Sequence, residues 1–294
     1  MTERRVGRRI GGRAAAAPGP AALGALLAAA ALAGCGSDGA AGRPSAPGAT
    51  GAERPAPVAG EVWRPAPGTS WQIQLSGPLD TSFDVDMYDV DLFDTPAATI
   101  GALRAAGRRV VCYFSAGSLE DWRPDADAFP ERVLGRPLVD WPGERWLDVR
   151  AFDVLGPIME ARLDLAVAKG CDGVEPDNVD AHANASGLPL TADDQLLYNR
   201  YLADAAHARG LSVGLKNDLD QLAELEPWFD WALNERCAEL GECARLAPFV
   251  AAGKAVFGIE YAGDPATLCP RANALDLDVL IKSRELDAAR TSCR

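Results

Sequence analysis

The chain has 294 residues, of which 29 are lysine or arginine and 42 are aspartate or glutamate, so its formal net charge is −13. A chain this acidic is a poor candidate for nucleic-acid binding, which needs a basic surface, and it suits a neutral or cationic ligand better. The part that looks folded is long enough for one barrel-sized domain with a sizeable core.

The N-terminal segment has the features of an export signal. Several arginines precede an apolar, Ala- and Leu-rich stretch that ends in Leu32-Ala33-Gly34-Cys35. This ending resembles the lipobox of bacterial lipoproteins, in which the cysteine becomes the lipidated first residue. We therefore expect residues 1–34 to be a signal peptide and Cys35 to anchor the exported protein to the extracytoplasmic face of the cell membrane. A cleaved secretory signal is the alternative, and Arg8-Arg9 leaves the general and twin-arginine routes both open.

Residues 35–68 are rich in Gly, Ala, Pro and Ser and contain few large apolar side chains. Such a segment buries too little apolar surface to offset its ordering entropy, so we predict a flexible tether before a single domain over residues 69–294.

Six cysteines follow Cys35, and an even number in an exported chain indicates disulfides. Proximity in the sequence favours Cys237 with Cys243 and Cys269 with Cys293. Cys112 and Cys171 fall near two strands expected to be neighbours, so they either pair or remain buried thiols. With two histidines and no Cys-x-x-Cys pair, we expect no metal site, and no cofactor is implied.

Short apolar segments alternate with helical patterns along the rest of the chain. A capping box at Thr191 and Asp194 starts one helix, and Gly107, Gly170 and Gly210 follow the ends of three. Eight segments are predicted strands: Trp71–Leu75, Val85–Phe93, Val110–Ser115, Gly173–Asp177, Ser212–Lys216, Trp231–Glu235, Ala255–Tyr261 and Leu277–Ser283.

This alternation predicts an α/β fold with a parallel sheet, and eight strands favour a (β/α)8 TIM-barrel-like domain. The link between the first two strands is too short for a crossover helix, so the barrel should be irregular there. An open doubly wound sheet is the structural alternative, although no Gly-x-Gly-x-x-Gly follows the first strand.

Polar residues lie at the carboxyl ends of almost all the predicted strands, where a barrel of this type carries its active site. A lone carboxylate there is usually a solvated turn residue, but the repetition over the strands points to a common site. The candidates are Asp91, Tyr113, Glu175, Asp177, Asn178, Lys216, Asn217, Glu235, Glu260 and Tyr261.

Glu175 and Asp177 share one face of their strand because side chains alternate. Neighbouring carboxyls in a partly buried site separate in pKa, which is the division of labour that glycoside hydrolysis requires. The long loop after the third strand carries Trp122 and Trp141, with Trp146 nearby; these rings either stack on sugars or hold the loop to the barrel.

Five segments of the chain form a set of motifs: Trp71-Gln72-Ile73-Gln74-Leu75-Ser76-Gly77, Tyr88-Asp89-Val90-Asp91-Leu92-Phe93-Asp94, Val111-Cys112-Tyr113-Phe114-Ser115-Ala116-Gly117, Gly170-Cys171-Asp172-Gly173-Val174-Glu175-Pro176-Asp177-Asn178 and Asn234-Glu235-Arg236-Cys237. Together they resemble glycoside hydrolase family 114, whose characterised activity is endo-α-1,4-polygalactosaminidase. The resemblance covers about residues 63–294. It implies a barrel and a retaining mechanism, with Asp177 as nucleophile, Glu235 as general acid/base, and carboxyl groups ~5 Å apart.

Galactosamine is cationic when its amine is free, so we expect Asp91, Glu175 and Glu260 to meet ammonium groups. Tyr113, Asn178, Lys216, Asn217 and Tyr261 are the remaining predicted substrate-binding residues. The expected partners are a polysaccharide substrate and, through the lipid, a membrane. The alternatives are a surface-anchored carbohydrate-binding lipoprotein without turnover and a hydrolase of another α-linked glycan.

Overall fold

The structure, a computed structural model, describes residues 62–294. The predicted signal peptide, the lipidation site at Cys35 and most of the predicted tether lie outside the described residues. None of the helices in residues 62–294 combines the length and the apolar character needed to cross a membrane.

Eight parallel strands curl into a TIM-barrel-like sheet, as predicted, and a ninth strand lies antiparallel at its end. The strands are β1 Trp71–Gln74, β2 Met87–Asp91, β3 Arg109–Ser115, β7 Gly173–Asp177, β8 Ser212–Lys216, β9 Trp231–Glu235, β10 Val256–Glu260, β11 Asp278–Lys282 and β12 Arg290–Ser292, and β4 to β6 belong to a separate small sheet. The order in the large sheet is β1-β2-β3-β7-β8-β9-β10-β11-β12.

Helices cover the outer face of this sheet, and some of them begin or end at capping residues that were predicted from the sequence. At the start of the third helix, Thr191 and Asp194 form the predicted capping box, and Gly170 ends the second helix in a left-handed conformation. The helices are α1 Ala97–Ala105, α2 Phe152–Lys169, α3 Ala192–His207, α4 Leu222–Leu225, α5 Cys237–Leu240, α6 Ala247–Ala251 and α7 Pro265–Ala274.

The barrel is irregular where the sequence predicted it. β1 runs into β2 without an intervening helix and is an edge strand of the sheet. Side chains connect it to β11: Trp71 Nε1 donates to the carbonyl of Asp278 at 2.9 Å, and Lys282 Nζ donates to that of Ile73 at 2.7 Å. The two ends of the sheet are thus joined by side-chain hydrogen bonds.

The barrel interior changes from apolar to polar along the strands. An apolar cluster that includes Trp71, Met87, Trp231 and Phe257 fills the part near the strand beginnings. Gly214 leaves room for the indole of Trp231, because a Cβ there would lie 2.4 Å from the ring. The inward-facing residues nearer the strand ends are charged or hydroxylated, so the polar site rests on a packed apolar floor.

The predicted long loop after β3 contains a small antiparallel sheet that was not predicted. Its strands are β4 Ser118–Glu120, β5 Leu134–Pro137 and β6 Glu144–Leu147, in the order β4-β6-β5. Trp146 is buried against Leu138 and Ala181, so this ring holds the small sheet to the segment after β7.

The folded part begins earlier than residue 69. Val62 is buried, and Arg64 Nε donates to Asp230 Oδ1 at 2.8 Å. The main-chain N–H of Gly68 donates to Asp278 Oδ2 at 2.9 Å. The prediction that the tether extends to residue 68 is therefore wrong, because these contacts tie residues 62–68 to the start of the barrel strands.

Three disulfides join the six cysteines of the domain, and both preferred pairs are confirmed. Cys237–Cys243 and Cys269–Cys293 close segments with sequence separations of 6 and 24. Cys112 on β3 pairs with Cys171, which precedes β7, at a separation of 59. The last bridge encloses the small sheet and α2 in one covalent loop.

Loop length predicts how much each bridge contributes to stability. Chain-entropy arguments give ~4 kcal/mol for a loop as long as that of Cys112–Cys171 and ~2 kcal/mol for one as short as that of Cys237–Cys243. We expect C112A/C171A to lower the free energy of unfolding more than the matched C237A/C243A variant, as measured by urea unfolding. Equal losses would contradict the assignment of the long loop as the main covalent constraint.

Candidate active site

Three neighbouring strands end in charged residues that meet at the mouth of the barrel. Asp177, Lys216 and Glu235 are the last residues of β7, β8 and β9. The residue after each of them has a positive φ: 61° at Asn178, 50° at Asn217 and 66° at Arg236. Left-handed backbone at these positions turns the chain abruptly, which leaves each preceding side chain at the rim.

The ammonium of Lys216 is the centre of this group. Lys216 Nζ lies 2.7 Å from Glu175 Oε1, 3.5 Å from Asp177 Oδ1 and 3.7 Å from Glu235 Oε2. Burial of Lys216 lowers its pKa, but the charges of Asp177, Glu175 and Glu235 outweigh that effect and hold the pKa well above its usual value. Lys216 is therefore a permanent cation shared by three carboxyl groups.

Solvent access separates the three carboxyl groups. The Glu175 side chain is 0% exposed, whereas that of Asp177 is 18% exposed and that of Glu235 is 23% exposed. Only the last two present their carboxyls to a ligand, while Glu175 lies beneath them as the close partner of Lys216. Glu175 was predicted to bind an ammonium group of the substrate. In the structure it binds the ammonium of Lys216 instead.

Glu235 is held by its neighbours on both oxygens. The hydroxyl of Tyr261 donates to Oε1, and Asn217 Nδ2 donates to Oε2 at 3.2 Å. Asn217 Oδ1 also accepts from the main-chain N–H of Glu235 at 2.9 Å. Tyr261 and Asn217 were predicted to position sugar hydroxyls; in the structure they orient the carboxyl of Glu235.

These contacts favour the ionised form of Glu235. Burial raises the pKa of its carboxyl, but the Lys216 charge and the hydrogen bonds from Tyr261 and Asn217 outweigh burial, so the pKa lies below its ordinary value.

Asp177 is positioned by the main chain that directly follows β3. The N–H groups of Ala116 and Gly117 donate to its carbonyl at 2.8 and 3.0 Å. Gly117 is needed there, because a Cβ would lie 1.7 Å from the carbonyl oxygen of Asn178. Asn178 Nδ2 donates to Ser115 Oγ at 2.9 Å, so its amide is engaged within the rim.

The shared ammonium also limits the separation of the two exposed carboxyls. The oxygens of Asp177 and Glu235 that approach Lys216 cannot be farther apart than the sum of their two distances to Nζ. This limit is compatible with the ~5 Å separation of the two carboxyl groups in a retaining glycosidase.

Further titratable groups surround the pair. Tyr113 faces Lys216, whose Nζ lies 5.9 Å from the ring centroid. Burial, followed by the charge of Asp177, raises the pKa of Asp180 to about 6. Burial, followed by the charge of Asp180, raises the pKa of Asp218 to about 8.

Two predicted site residues do not join this group. Asp91 is buried and forms a bidentate ion pair with Arg123, whose Nη1 and Nη2 donate to Oδ1 and Oδ2 of Asp91 at 3.0 and 2.6 Å. Arg123 also contacts Glu120 at 2.7 Å, so it connects β2 to the small sheet. Asp91 was predicted to bind an ammonium group of the substrate. That prediction is wrong, because the guanidinium of Arg123 already pairs with its carboxylate.

Glu260 points away from the barrel interior. Side chains alternate along β10, and Phe257, Ile259 and Tyr261 face inward, so Glu260 faces the helices outside. Its Oε1 accepts from the main-chain N–H of Ala238 at 2.7 Å. The prediction for Glu260 is therefore wrong: this carboxylate caps the N-terminus of α5.

The tryptophans of the small sheet divide between the two predicted roles. Trp146 is buried, Trp141 is half-buried, and Trp122 is 45% exposed with the guanidinium of Arg123 6.0 Å from its ring centroid.

Asp89 was not among the predicted site residues, although it lies within the β2 motif and is completely buried inside the barrel beside Glu175. Its position two residues before Asp91 on the same face of the strand was the available signal.

A parallel barrel with two partly exposed carboxyl groups at its mouth fits the two-carboxylate arrangement of glycoside hydrolases. The model of glycoside hydrolase family 114 matches residues 52–294, and the chain belongs to this family. Its substrate is accordingly a carbohydrate.

Other proteins are similar to this chain in sequence or structure. An uncharacterized protein of Deinococcus radiodurans is 31% identical over an alignment of 291 positions that covers 83% of this chain and 92% of the relative. The crystal structure of Aspergillus fumigatus Ega3 in complex with galactosamine is 43% identical, with a TM-score of 0.74, and covers 79% of this chain and 97% of its own.

The glycoside hydrolase domain of PelA from Pseudomonas aeruginosa shares the fold. It has a TM-score of 0.62 at 16% identity, over 76% of this chain and 98% of that domain.

Removal of the Tyr261 hydroxyl should change the pKa of Glu235. In Tyr261→Phe the carboxylate loses a donor, so we expect the pKa of Glu235 to rise. A carboxyl-13C NMR titration of glutamate-labelled protein measures it. The matched control is Tyr201→Phe, which removes a hydroxyl bonded to Glu160 on the outer surface and should leave Glu235 unchanged. A fall of the Glu235 pKa in Tyr261→Phe would contradict the assignment.

Proposed function

We propose that the protein cleaves α-1,4-linked, galactosamine-containing polysaccharide internally, with retention of configuration. Asp177 is the nucleophile and Glu235 the general acid/base. The observation that carries the proposal is the pairing of these two exposed carboxyls around one buried ammonium. Their positions, at the ends of the fourth and sixth parallel strands, match those of the catalytic Asp and Glu that the family resemblance implies.

In the first step, a carboxylate oxygen of Asp177 attacks the anomeric carbon, and the bond to the leaving sugar breaks. Glu235 transfers its proton to the departing oxygen. In the second step, Glu235 removes a proton from water, and that water displaces Asp177 from the anomeric carbon. Lys216 offsets the charge of both carboxyls throughout, since it contacts each of them.

The choice of galactosamine rests on charge and on similarity. The protein carries a formal charge of −13, and Asp180 adds a further carboxyl beside Asp177 and Glu235. Negative potential in a cleft concentrates cationic ligands. A related structure, 43% identical, holds galactosamine. Free amines along the polymer therefore favour its binding over that of a neutral or fully acetylated glycan.

Turnover tests this function directly. We expect purified protein to release oligosaccharides from partly deacetylated α-1,4-galactosamine polymer, with the α anomer formed first when followed by NMR. Asp177→Asn and Glu235→Gln should each lower kcat by about 10²–10⁴-fold, because each removes a group that acts in the transition state. The exposed Glu224→Gln serves as the control of equal charge change.

Two outcomes would count against the proposal. Retained activity in both carboxyl variants would remove Asp177 and Glu235 from the mechanism, and an initial β anomer would exclude retention. A panel that includes neutral α-linked glycans and the N-acetylated polymer separates galactosamine specificity from a broader activity.

We further propose that Cys35 carries a lipid that holds the enzyme at the outer face of the cell membrane. The support is the sequence Leu32-Ala33-Gly34-Cys35 behind a basic, apolar leader. Expressed in a bacterial host and fed an alkyne fatty acid, the full chain should be labelled and should sediment with membranes, whereas Cys35→Ser should do neither. Equal labelling of Cys35→Ser would refute the anchor.

A further inference from the structure

Asp89 lies inside the barrel beneath the proposed catalytic pair, and the mechanism above gives it no role. It is the middle residue of β2 and is 0% exposed. Among the described residues, no N–H or O–H group of another side chain or of the main chain donates to either of its oxygens. A carboxylate stripped of water in this way is strongly disfavoured unless it is neutralised.

The neighbour of Asp89 is another buried carboxyl, that of Glu175, with which it forms a side-chain contact. Glu175 uses Oε1 for Lys216 at 2.7 Å, while its Oε2 is buried and likewise receives no conventional donor from the described residues. A single proton placed between the two carboxyls removes one of their two negative charges and joins one oxygen of each in a hydrogen bond.

The surrounding charges decide which carboxyl holds that proton. Burial, the charge of Glu175 and the hydrogen bond to Glu175 raise the pKa of Asp89 well above its ordinary value, while Lys216 only partly offsets them. Lys216 lies against Glu175, where it favours the anion. The proton therefore belongs to Asp89, and the negative charge to Glu175.

We propose that Asp89 is a positioning residue. It is kept as a neutral acid whose O–H donates a hydrogen bond to Glu175 Oε2, and this bond fixes Glu175 Oε1 on Lys216. This role rests on the proposed function of Asp177 and Glu235. An ammonium has three N–H groups, and the close contact with Glu175 leaves longer, shared contacts to Asp177 at 3.5 Å and Glu235 at 3.7 Å.

The consequence concerns the nucleophile. If Glu175 were free to rotate, Lys216 could move into a close ion pair with Asp177 or Glu235. A tight ion pair would stabilise the ground-state carboxylate and reduce its reactivity, since catalysis requires interactions that strengthen in the transition state. The hydrogen bond from Asp89 keeps the lysine centred between the two reacting groups.

Infrared spectroscopy locates the proton without any substrate. The difference spectrum between wild type and Asp89→Asn should contain the C=O stretch of a protonated carboxyl at pH 6. Asp218→Asn is the matched positive control, because burial raises the pKa of Asp218 to about 8, so its difference spectrum should contain such a band at pH 6 and lose it at pH 9.5. Absence of an Asp89 band at pH 6 would overturn the proposal.

Activity separates positioning from simple packing. Asn keeps the shape and an N–H donor, so Asp89→Asn should retain kcat within about threefold and an unchanged pH profile. Leu keeps the shape without a donor, so Asp89→Leu should lower kcat by about 10-fold or more and shift the pH profile, because Glu175 loses its partner. Urea unfolding checks that both variants are folded.

Equal loss of activity in the Asn and Leu variants, or a wild-type pH profile in Asp89→Leu, would also contradict the positioning role. Failure of the proposed function has a different signature. The wild type would then not cleave galactosamine polymer at all, while the infrared band of Asp89 would still report where the proton lies.

Discussion

The arrangement of the site depends on one buried cation. Lys216 is 2% exposed in its side chain and lies within 3.7 Å of three carboxyl groups from two other strands. An unpaired ammonium in this position would be very costly, and three carboxylates without it would repel one another. The lysine and the acids are therefore stable only together, which fixes the ends of β7, β8 and β9 relative to one another.

The backbone supplies the geometry that this ion cluster needs. Asn178, Asn217 and Arg236 all adopt left-handed conformations immediately after the charged strand ends. Asparagine tolerates this region better than most residues, and Asn217 in addition binds both the main chain and the carboxyl of Glu235. Local strain at three successive strand ends is thus offset by contacts that orient a reactive group.

Much of this site follows from the sequence because parallel strands end at one rim. The predicted strand ends placed Asp177, Lys216 and Glu235 among the candidates, and the structure has each of them as the last residue of its strand, at the barrel mouth. The prediction for Glu260 was wrong because a shift of one residue along β10 moves a side chain to the opposite face of the sheet. A residue near a strand end reaches the site only if its side chain also lies on the inward face of the strand.

Other features depend on partners that lie far away in the chain. Asp91 and Arg123 are separated by 32 positions, and no local sequence pattern predicts that they form an ion pair. The small sheet after β3 has strands of three or four residues, too short for a clear period. Asp89 looked like one more acid of its motif, and only the placement of Glu175 against it reveals a neutral, buried carboxyl.

The lowered pKa of Glu235 has a definite place in the proposed reaction. A general acid must be protonated at the start, and its contacts with Lys216, Tyr261 and Asn217 oppose that, so the free enzyme holds the active form at acidic pH. Formation of the ester at Asp177 then removes one negative charge from the cluster. With fewer anions around it, Lys216 stabilises the Glu235 carboxylate more strongly, which favours release of its proton in the first step. The same lysine that disfavours the resting acid thereby prepares Glu235 to act as the base on the incoming water.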